Sequence, residues 1–239
     1  MSRRIRMDEV LRYLGYSGQE MDPALRRRMG AIVDSCEDEL DCHGIWATFP
    51  VRHDTDGLGE RTVVVEGTTL VLTGHDITEH LSGASACALM VSTLGAESAR
   101  RLEVLGATDQ LAQVVYDAAC TDLIERGTDE LEAQVVAWAH GRGLYTSYRY
   151  GPGYGDLPLS VQPTILDVLS AGKRLGVTAT DDCLLVPMKS ETAVVGIYPE
   201  PPSNGKPGCS RCACRDYCEI HARGDVCYRR PEADDREGR

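Results

Sequence analysis

The sequence predicts an α+β fold, with a mostly antiparallel central sheet and flanking helices, followed by a short cysteine-rich C-terminal segment. Three observations predict it. Stretches rich in β-branched residues lie early and late in the first 198 residues. Apolar residues recur at helical spacing between them. Five of the ten cysteines crowd together near the C-terminus. Because strands and helices occur in separate groups, an antiparallel sheet is favoured over alternating βαβ units.

Two helices are expected at the start of the chain. The first covers residues 7–14 and can end at Gly15. The second begins with Asp22 as its cap and Pro23 at its first position, where the missing N–H of proline costs nothing.

Strands are expected next, at residues 45–51 and 61–72. Gly67 lies inside the second stretch and predicts a hairpin that pairs residues 63–65 with residues 69–72. A short helix follows over residues 76–81, and a buried strand over residues 86–93.

The middle of the chain predicts three helices. One covers residues 96–105, a second is capped by Asp109, and a third is capped by Thr128 and ends at Gly141.

His75 and His80 flank the short helix predicted over residues 76–81. Their five-residue spacing does not place both side chains on one helical face. No metal pair is therefore expected there.

The last part of the domain predicts a strand over residues 144–150, a helix from Ser160 to Leu175, and strands over residues 183–186 and 192–197. Residues 1–198 thus form the predicted domain. A proline- and glycine-rich linker follows over residues 199–208, then a cysteine-rich segment over 209–228 and a charged, disordered tail over 229–239.

Charge and hydropathy restrict the partners and the compartment. The 239 residues carry a formal net charge of −12, which argues against nucleic acid or an anionic membrane as partner and is compatible with a cationic ligand. No apolar run is long enough to span a bilayer, and the first residues lack the apolar core of a signal peptide. We expect a cytoplasmic protein.

The segment Arg149-Tyr-Gly-Pro-Gly-Tyr-Gly-Asp-Leu-Pro158 has the composition of a binding loop. Its glycines permit positive φ and close approach of a ligand, and its prolines limit the entropy lost on ordering. Arg149 offers a planar donor fork for a carboxylate or phosphate, and Tyr154 offers an apolar face with a hydroxyl. The alternative is an ordinary tight connection between a strand and a helix.

The C-terminal cysteines suggest a metal site. Cys209, Cys212, Cys214 and Cys218 are spaced closely enough to hold zinc or an iron–sulfur cluster through their thiolates. Disulfide or redox-sensing thiols, or no special role, are the alternatives. Cys227 follows within the same segment. The five cysteines of the first 183 residues are expected to be small buried residues: Cys36, Cys42, Cys87, Cys120 and Cys183.

Several segments resemble one known family. The run Arg149-Tyr-Gly-Pro-Gly-Tyr-Gly-Asp-Leu-Pro-Leu-Ser-Val-Gln162, then Lys173-Arg-Leu-Gly-Val-Thr178 and Val186-Pro-Met-Lys-Ser190, resembles the activation (reactivation) domain of cobalamin-dependent methionine synthase. Glu9-Val-Leu-Arg-Tyr-Leu-Gly-Tyr-Ser-Gly-Gln19 and Ser92-Thr-Leu-Gly95 resemble segments of its stand-alone form, a separate short protein in some bacteria. The resemblance covers residues 8–198.

This resemblance implies S-adenosylmethionine binding in support of reductive methylation. Cobalamin would be carried by the partner, the core of a separately encoded cobalamin-dependent methionine synthase, and the electron would come from a flavodoxin- or ferredoxin-type donor. The chain would thus serve methionine biosynthesis as the reactivation component of a methyltransferase. By this resemblance Arg149 holds the ligand carboxylate, Tyr154 lies near the ligand and the cobalamin, and the backbone loop is formed by Gly151, Pro152, Gly153 and Gly155.

The chain also departs from the fused enzyme domain. A tyrosine pair that completes the family's ligand site has no counterpart after the strand at 192–197, and the acidic residue six positions before the arginine is Gly143. The methionine half of the ligand site is therefore better supported than the adenosine half.

Two other hypotheses for the function stay open: a metal- or redox-active scaffold subunit of another corrinoid methyltransferase system, and a domain that has lost binding. A place for Asp156 near a sulfonium competes with a surface or helix-cap role.

Overall fold

The computed structural model describes residues 5–16, 18–202 and 215–222. The chain divides into two units, Met1–Pro202 and Ser203–Arg239. The described part of the second unit contains a 3-10 turn, Arg215–Tyr217, and a short helix, Glu219–Ala222. In the first unit the elements, in chain order, are α1 (Met7–Tyr13), α2 (Pro23–Glu39), β1 (His43–Thr55), β2 (Arg61–Val65), β3 (Val71–Thr73), α3 (His75–His80), β4 (Ala86–Thr93), α4 (Gly95–Thr108), α5 (Gln110–His140), β5 (Tyr145–Thr146), α6 (Gln162–Val168), α7 (Ala171–Leu175), β6 (Thr178–Ala179), β7 (Leu185–Val186) and β8 (Ser190–Tyr198).

Six strands of the first unit form one sheet in the order β3-β2-β1-β4-β8-β5. Every neighbouring pair is antiparallel. β6 and β7 form a separate two-stranded sheet. The predicted α+β fold with an antiparallel central sheet and flanking helices is confirmed.

The central strand β4 is buried on both faces, and its alternate residues belong to two different cores. Leu89 and Val91 pack in a cluster that includes Ile77 of α3 and Ile165 of α6. Met90 packs on the opposite face in a cluster with Val135 of α5. Since successive side chains of a strand point to opposite faces, β4 joins the two layers. A third cluster packs α1, α2 and α4 against α5.

The prediction of separate helices after residue 109 is wrong, because α5 runs unbroken through Gly127 and Thr128. A Cβ on Gly127 would lie 2.2 Å from the Sγ of Cys42, so this glycine permits close packing instead of ending a helix. The hydroxyl of Thr128 donates to the carbonyl oxygen of Ile124 at 2.9 Å instead of capping. Asp109 does cap α5, since its carboxylate accepts from the backbone N–H of Ala112 at 3.1 Å.

Other boundaries differ in smaller ways. The predicted helix from Ser160 to Leu175 is a 3-10 turn followed by α6 and α7, which are separated at Ser170 by a positive φ of 52°. The predicted strand over 144–150 is regular only at Tyr145–Thr146, with an isolated bridge between Tyr150 and Val194. Asp22 caps α2 as predicted, accepting from the N–H of Ala24 at 2.6 Å.

Candidate functional site

The predicted binding loop leaves the sheet after Tyr150 and turns back on itself. The N–H of Gly153 donates to the carbonyl of Leu157 at 2.8 Å, and the N–H of Tyr154 donates to the carbonyl of Gly151 at 3.1 Å. Gly153 and Gly155 have positive φ, 91° and 51°. The loop is therefore a compact turn that exposes the side chain of Tyr154, of which 67% is accessible.

The loop is fixed to helix α3 by close packing and by a cap. A Cβ on Gly155 would lie 2.3 Å from both the Oδ2 of Asp76 and the hydroxyl of Tyr150, so a larger residue does not fit. The carboxylate of Asp156 accepts from the backbone N–H groups of His75, at 2.5 Å, and Asp76, at 3.0 Å. Asp156 therefore has the helix-cap role that was one of its expected alternatives.

Arg149 points away from solvent into a group of four carboxylates, which we call the carboxylate cage. Its Nη2 lies 2.8 Å from Glu125, its Nη1 lies 2.8 Å from Glu132 and also contacts Asp129, and its Nε lies 3.3 Å from Glu191. Glu132 also accepts from the backbone N–H of Arg149 at 2.9 Å. Only 17% of the Arg149 side chain is exposed.

The cage determines what Arg149 can bind. Burial by itself would lower the pKa of Arg149, but Glu191 and the neighbouring carboxylates raise it, so the guanidinium stays charged. Burial raises the pKa of Glu191, although Arg149 opposes that shift. Since the contacts use all three nitrogens of the guanidinium, a ligand carboxylate at Arg149 must compete with carboxylates of the protein.

Residues next to Arg149 form an aromatic cluster with helix α3. The ring of His80 lies 4.5 Å from that of Tyr148 and 5.1 Å from that of Tyr150, and Tyr150 lies 6.4 Å from Tyr154, all between centroids. The Nε2 of His80 is 2.9 Å from the Oγ of Ser147. The aromatic cluster therefore leads from a buried histidine to the exposed tyrosine of the loop.

His80 is held neutral in this cluster. It is 4% exposed, and burial lowers its pKa to about 4. The backbone N–H of Gly196 donates to the Oγ of Ser147 at 2.8 Å, and the hydroxyl of Tyr198 donates to the carbonyl of His80. The bond of Tyr198 connects β8 to α3, and the bond of Gly196 connects β8 to Ser147.

Sequence reasoning missed the partners of Arg149. Glu125, Asp129 and Glu132 are spaced at i, i+4 and i+7, which places them on one face of a helix. The predicted break before Thr128 divided them between two helices and hid that face. His80 was considered only as a metal ligand, and its pairing with Ser147 joins residues 67 positions apart.

Three of the four predicted metal ligands, Cys209, Cys212 and Cys214, lie outside the described residues. Cys218 is described, and its Sγ accepts from the backbone N–H of His221 at 3.4 Å. Within the ranges 5–16, 18–202 and 215–222, His, Cys, Asp and Glu side chains form no group of three or more able to hold a metal ion. The metal site remains a prediction.

The other cysteines divide by burial. Cys36, Cys87 and Cys120 are buried as expected, whereas Cys42 and Cys183 are partly exposed. The Sγ atoms of Cys36 and Cys120 lie 3.7 Å apart between α2 and α5.

Residues of the loop do not line either of two grooves on the first unit. The larger, about 450 Å³, lies between α1, α4, α5 and Met188. The smaller, about 160 Å³, lies beside Cys42 and Arg126. A ligand held by the loop would therefore have to extend from it to reach either groove.

A solved structure has the same architecture. It is titled "Crystal Structure of the MetH Reactivation Domain bound to AdoHcy", and it superposes with a TM-score of 0.63 at 16% identity, covering 94% of this chain and 83% of that chain. The fold is that of the MetH reactivation domain. No protein-family model matches the sequence, and no curated protein matches it. The resemblance to the MetH reactivation domain is thus confirmed for the fold.

None of the helices in the described parts of the chain is both long enough and apolar enough to cross a membrane.

Proposed function

We propose that this protein binds S-adenosylmethionine at the Arg149 loop and supports reductive remethylation of cob(II)alamin in a separately encoded cobalamin-dependent methionine synthase. The observation that carries the proposal is the MetH reactivation domain fold, which this chain shares with a neighbour bound to AdoHcy. The sequence of the Arg149 loop, which resembles that family, supports it. AdoHcy is the demethylated form of the proposed ligand.

The charges around Arg149 suit such a ligand. S-adenosylmethionine carries a sulfonium and an ammonium group, and the carboxylate cage has four acidic side chains around one guanidinium. Of these, Asp129 and Glu125 are the more exposed, at 57% and 44%. A cationic ligand group gains attraction there, and the ligand carboxylate can exchange with one of these outer carboxylates at Arg149.

The protein's part in the reaction is positioning. The partner's corrinoid would supply the hard chemistry, with one electron from a flavodoxin- or ferredoxin-type donor and a methyl group from S-adenosylmethionine. The compact turn at Gly153 and Gly155, fixed by Asp156 to α3, holds the exposed Tyr154 in one place. A rigid loop of this kind can present the sulfonium methyl to a docked partner at reacting distance.

Calorimetry tests the binding step directly. S-adenosylmethionine is titrated into the protein alone and with a cobalamin-loaded methionine synthase core. The Arg149→Lys variant keeps the charge inside the cage but loses the planar fork, so binding should weaken about tenfold or more. Arg52→Lys, at an exposed pair outside the loop, is the matched control. The proposal is wrong if the wild-type protein shows no saturable binding in either setting.

A second candidate rests on the closely spaced cysteines at 209–218, which favour a metal- or redox-active scaffold subunit of another corrinoid methyltransferase system. Metal analysis and visible absorption of protein purified without oxygen separate the possibilities. Stoichiometric iron with a charge-transfer absorption indicates a cluster, and stoichiometric zinc without colour indicates a thiolate zinc site. A metal together with unaltered S-adenosylmethionine binding in Arg149→Lys would favour the scaffold.

A further inference from the structure

Two buried cysteines of different helices lie in contact with each other. The Sγ atoms of Cys36, on α2, and Cys120, on α5, are 3.7 Å apart, and both residues are 0% exposed. Both are free thiols. Since a disulfide bond is about 2.05 Å long, the two sulfur atoms need to approach by only about 1.7 Å to form one. Rotation of the side chains and a small shift of α2 can supply that approach.

Other contacts hold the two helices together on both sides of the cysteine pair. Near the start of α2, the Nη2 of Arg28 lies 2.5 Å from the Oδ2 of Asp109, the cap of α5. At the end of α2, the carboxylate of Glu39 accepts from the hydroxyl of Tyr116 at 3.0 Å. The fold therefore keeps two thiols together that are 84 positions apart in the sequence.

Burial makes the pair unreactive while the two helices are closed. The thiolate is the form of cysteine that attacks a disulfide. The hydrogen bond with Cys120 and burial raise the pKa of Cys36, so its thiolate is disfavoured in the folded protein. A reagent also cannot reach either sulfur, because both residues are 0% exposed. Reaction therefore requires α2 to move away from α5 transiently, by local opening.

We propose that Cys36 and Cys120 form a thiol–disulfide switch, in which a low-molecular-weight disulfide such as glutathione disulfide oxidises the pair and the new bond locks α2 onto α5. One protein thiolate first attacks a sulfur of the reagent, which forms a mixed disulfide and releases one glutathione. The other protein thiolate then attacks the protein sulfur of that mixed disulfide and releases the second glutathione. The two cysteines lose two electrons to the reagent, and their two protons end on the two glutathione thiols. The inference does not depend on the proposed function.

The fold drives the second step of this exchange. A mixed disulfide places a tripeptide where the side chains around the pair are fully buried, so α2 cannot close on α5 around it. The protein disulfide, in contrast, fits between the helices with little movement. The equilibrium constant for its formation should therefore be larger in the folded chain than in the unfolded chain, and the bond should stabilise the fold by the same factor.

Equilibration of the full chain in glutathione buffers tests the switch. The protein is brought to equilibrium from both its reduced and its oxidised form, in native buffer and in urea that unfolds it, and is then alkylated and digested with trypsin. Peptide 29–52 contains Cys36 and Cys42, and peptide 102–126 contains Cys120. The two peptides should be linked in the wild type and in Cys42→Ala, with an equilibrium constant at least about tenfold larger in native buffer than in urea.

The melting temperature provides a second readout. Because the bond joins residues 84 positions apart, the oxidised wild type should melt at least about 5 °C above its reduced form. Cys87 is also 0% exposed, and Cys87→Ala should keep this rise, whereas Cys36→Ala should lose it. Each variant is compared with its own reduced form, so that a loss of packing affects both measurements equally.

Three results would overturn the switch. The first is a folded protein in which peptides 29–52 and 102–126 are not linked, or are linked through Cys42. The second is an equilibrium constant that is the same in native buffer and in urea, because the fold would then contribute nothing to bond formation. The third is an oxidised form that melts no higher than the reduced form.

Discussion

Arg149 contacts four carboxylates of α5 and β8, whereas its neighbours Tyr148 and Tyr150 pack on the buried ring of His80. The carboxylate cage is held together by ion pairs and is partly open to water, since Asp129 is 57% exposed. The aromatic cluster is held together by buried packing around His80, which stays neutral. One short segment of chain is thus held by two regions whose stabilities respond to different variables.

The carboxylate cage can therefore rearrange, whereas the aromatic cluster is rigid. Ion pairs with exposed carboxylates are weak and can exchange partners, so the carboxylate cage can open for a ligand. A packed, hydrogen-bonded aromatic cluster is costly to rearrange, so it can hold Tyr150 and the start of the loop in place. We therefore expect substitutions in the cage to change ligand binding, and we expect the aromatic cluster to make the stability of the protein depend on pH.

The largest expected effect is the loss of the guanidinium. Arg149→Met leaves Glu132 and Glu191 partly buried without their cation, and the free energy of unfolding should fall by about 3 kcal/mol. Urea unfolding of the wild type and the variant measures this change in the free energy of unfolding. In Arg100→Met, which removes the exposed pair with Glu97, the change should stay under about 0.5 kcal/mol. Equal effects of the two substitutions would show that the cage contributes no more than a surface pair.

A comparable effect is expected from pH at His80. The unfolded histidine takes up a proton near pH 6.5 and the folded one only near pH 4. Its contribution to stability is therefore complete above pH 6.5 and is lost as the pH falls toward 4, by up to about 3 kcal/mol. Thermal unfolding between pH 7 and pH 4 should show a shallower pH dependence in His80→Gln than in wild type. His75→Gln, at a residue that is 73% exposed, is the control.

The titration of Glu191 should change the stability in the opposite direction to that of His80 over part of the same pH range. Burial raises its pKa above the usual 4.5, so the folded protein holds this proton more tightly, and stability falls as the pH rises through that window. Glu191→Gln should therefore make the acid loss of stability steeper than in wild type. An unchanged profile would mean that Glu191 is ionised in both states.

A moderate effect should distinguish the inner from the outer carboxylates of the cage. Glu132 is 19% exposed and accepts from both the backbone and the side chain of Arg149, so Glu132→Gln should cost about 2 kcal/mol of unfolding free energy. Asp129 is 57% exposed, and Asp129→Asn should cost less than about 1 kcal/mol. The reverse order, measured by urea unfolding, would contradict the division into inner and outer positions.

The smallest effect is expected at the loop itself. Asp156→Ala removes the two bonds that cap α3 and should lower the unfolding free energy by about 1 kcal/mol. Asp182→Ala, at an exposed aspartate of the β6–β7 connection, should be close to neutral in the same assay. If the cap matters for ligand presentation, the Asp156 variant should also weaken S-adenosylmethionine binding.

The sequence by itself determined the fold class, because strand and helix periodicities occur in separate groups and each needs only local information. It also predicted a turn after Tyr150, since the glycines and prolines of residues 149–158 limit the backbone directly. Caps such as Asp22 and Asp109 were predictable for the same reason.

Only the tertiary structure decided what surrounds Arg149 and His80. α5 continues through Gly127, against which Cys42 packs, and the unbroken helix brings Glu125 and Glu132 to Arg149. The bond between His80 and Ser147 likewise depends on the packing of α3 against the sheet. These contacts join residues far apart in sequence, and no local pattern of residue types specifies which distant side chains will meet.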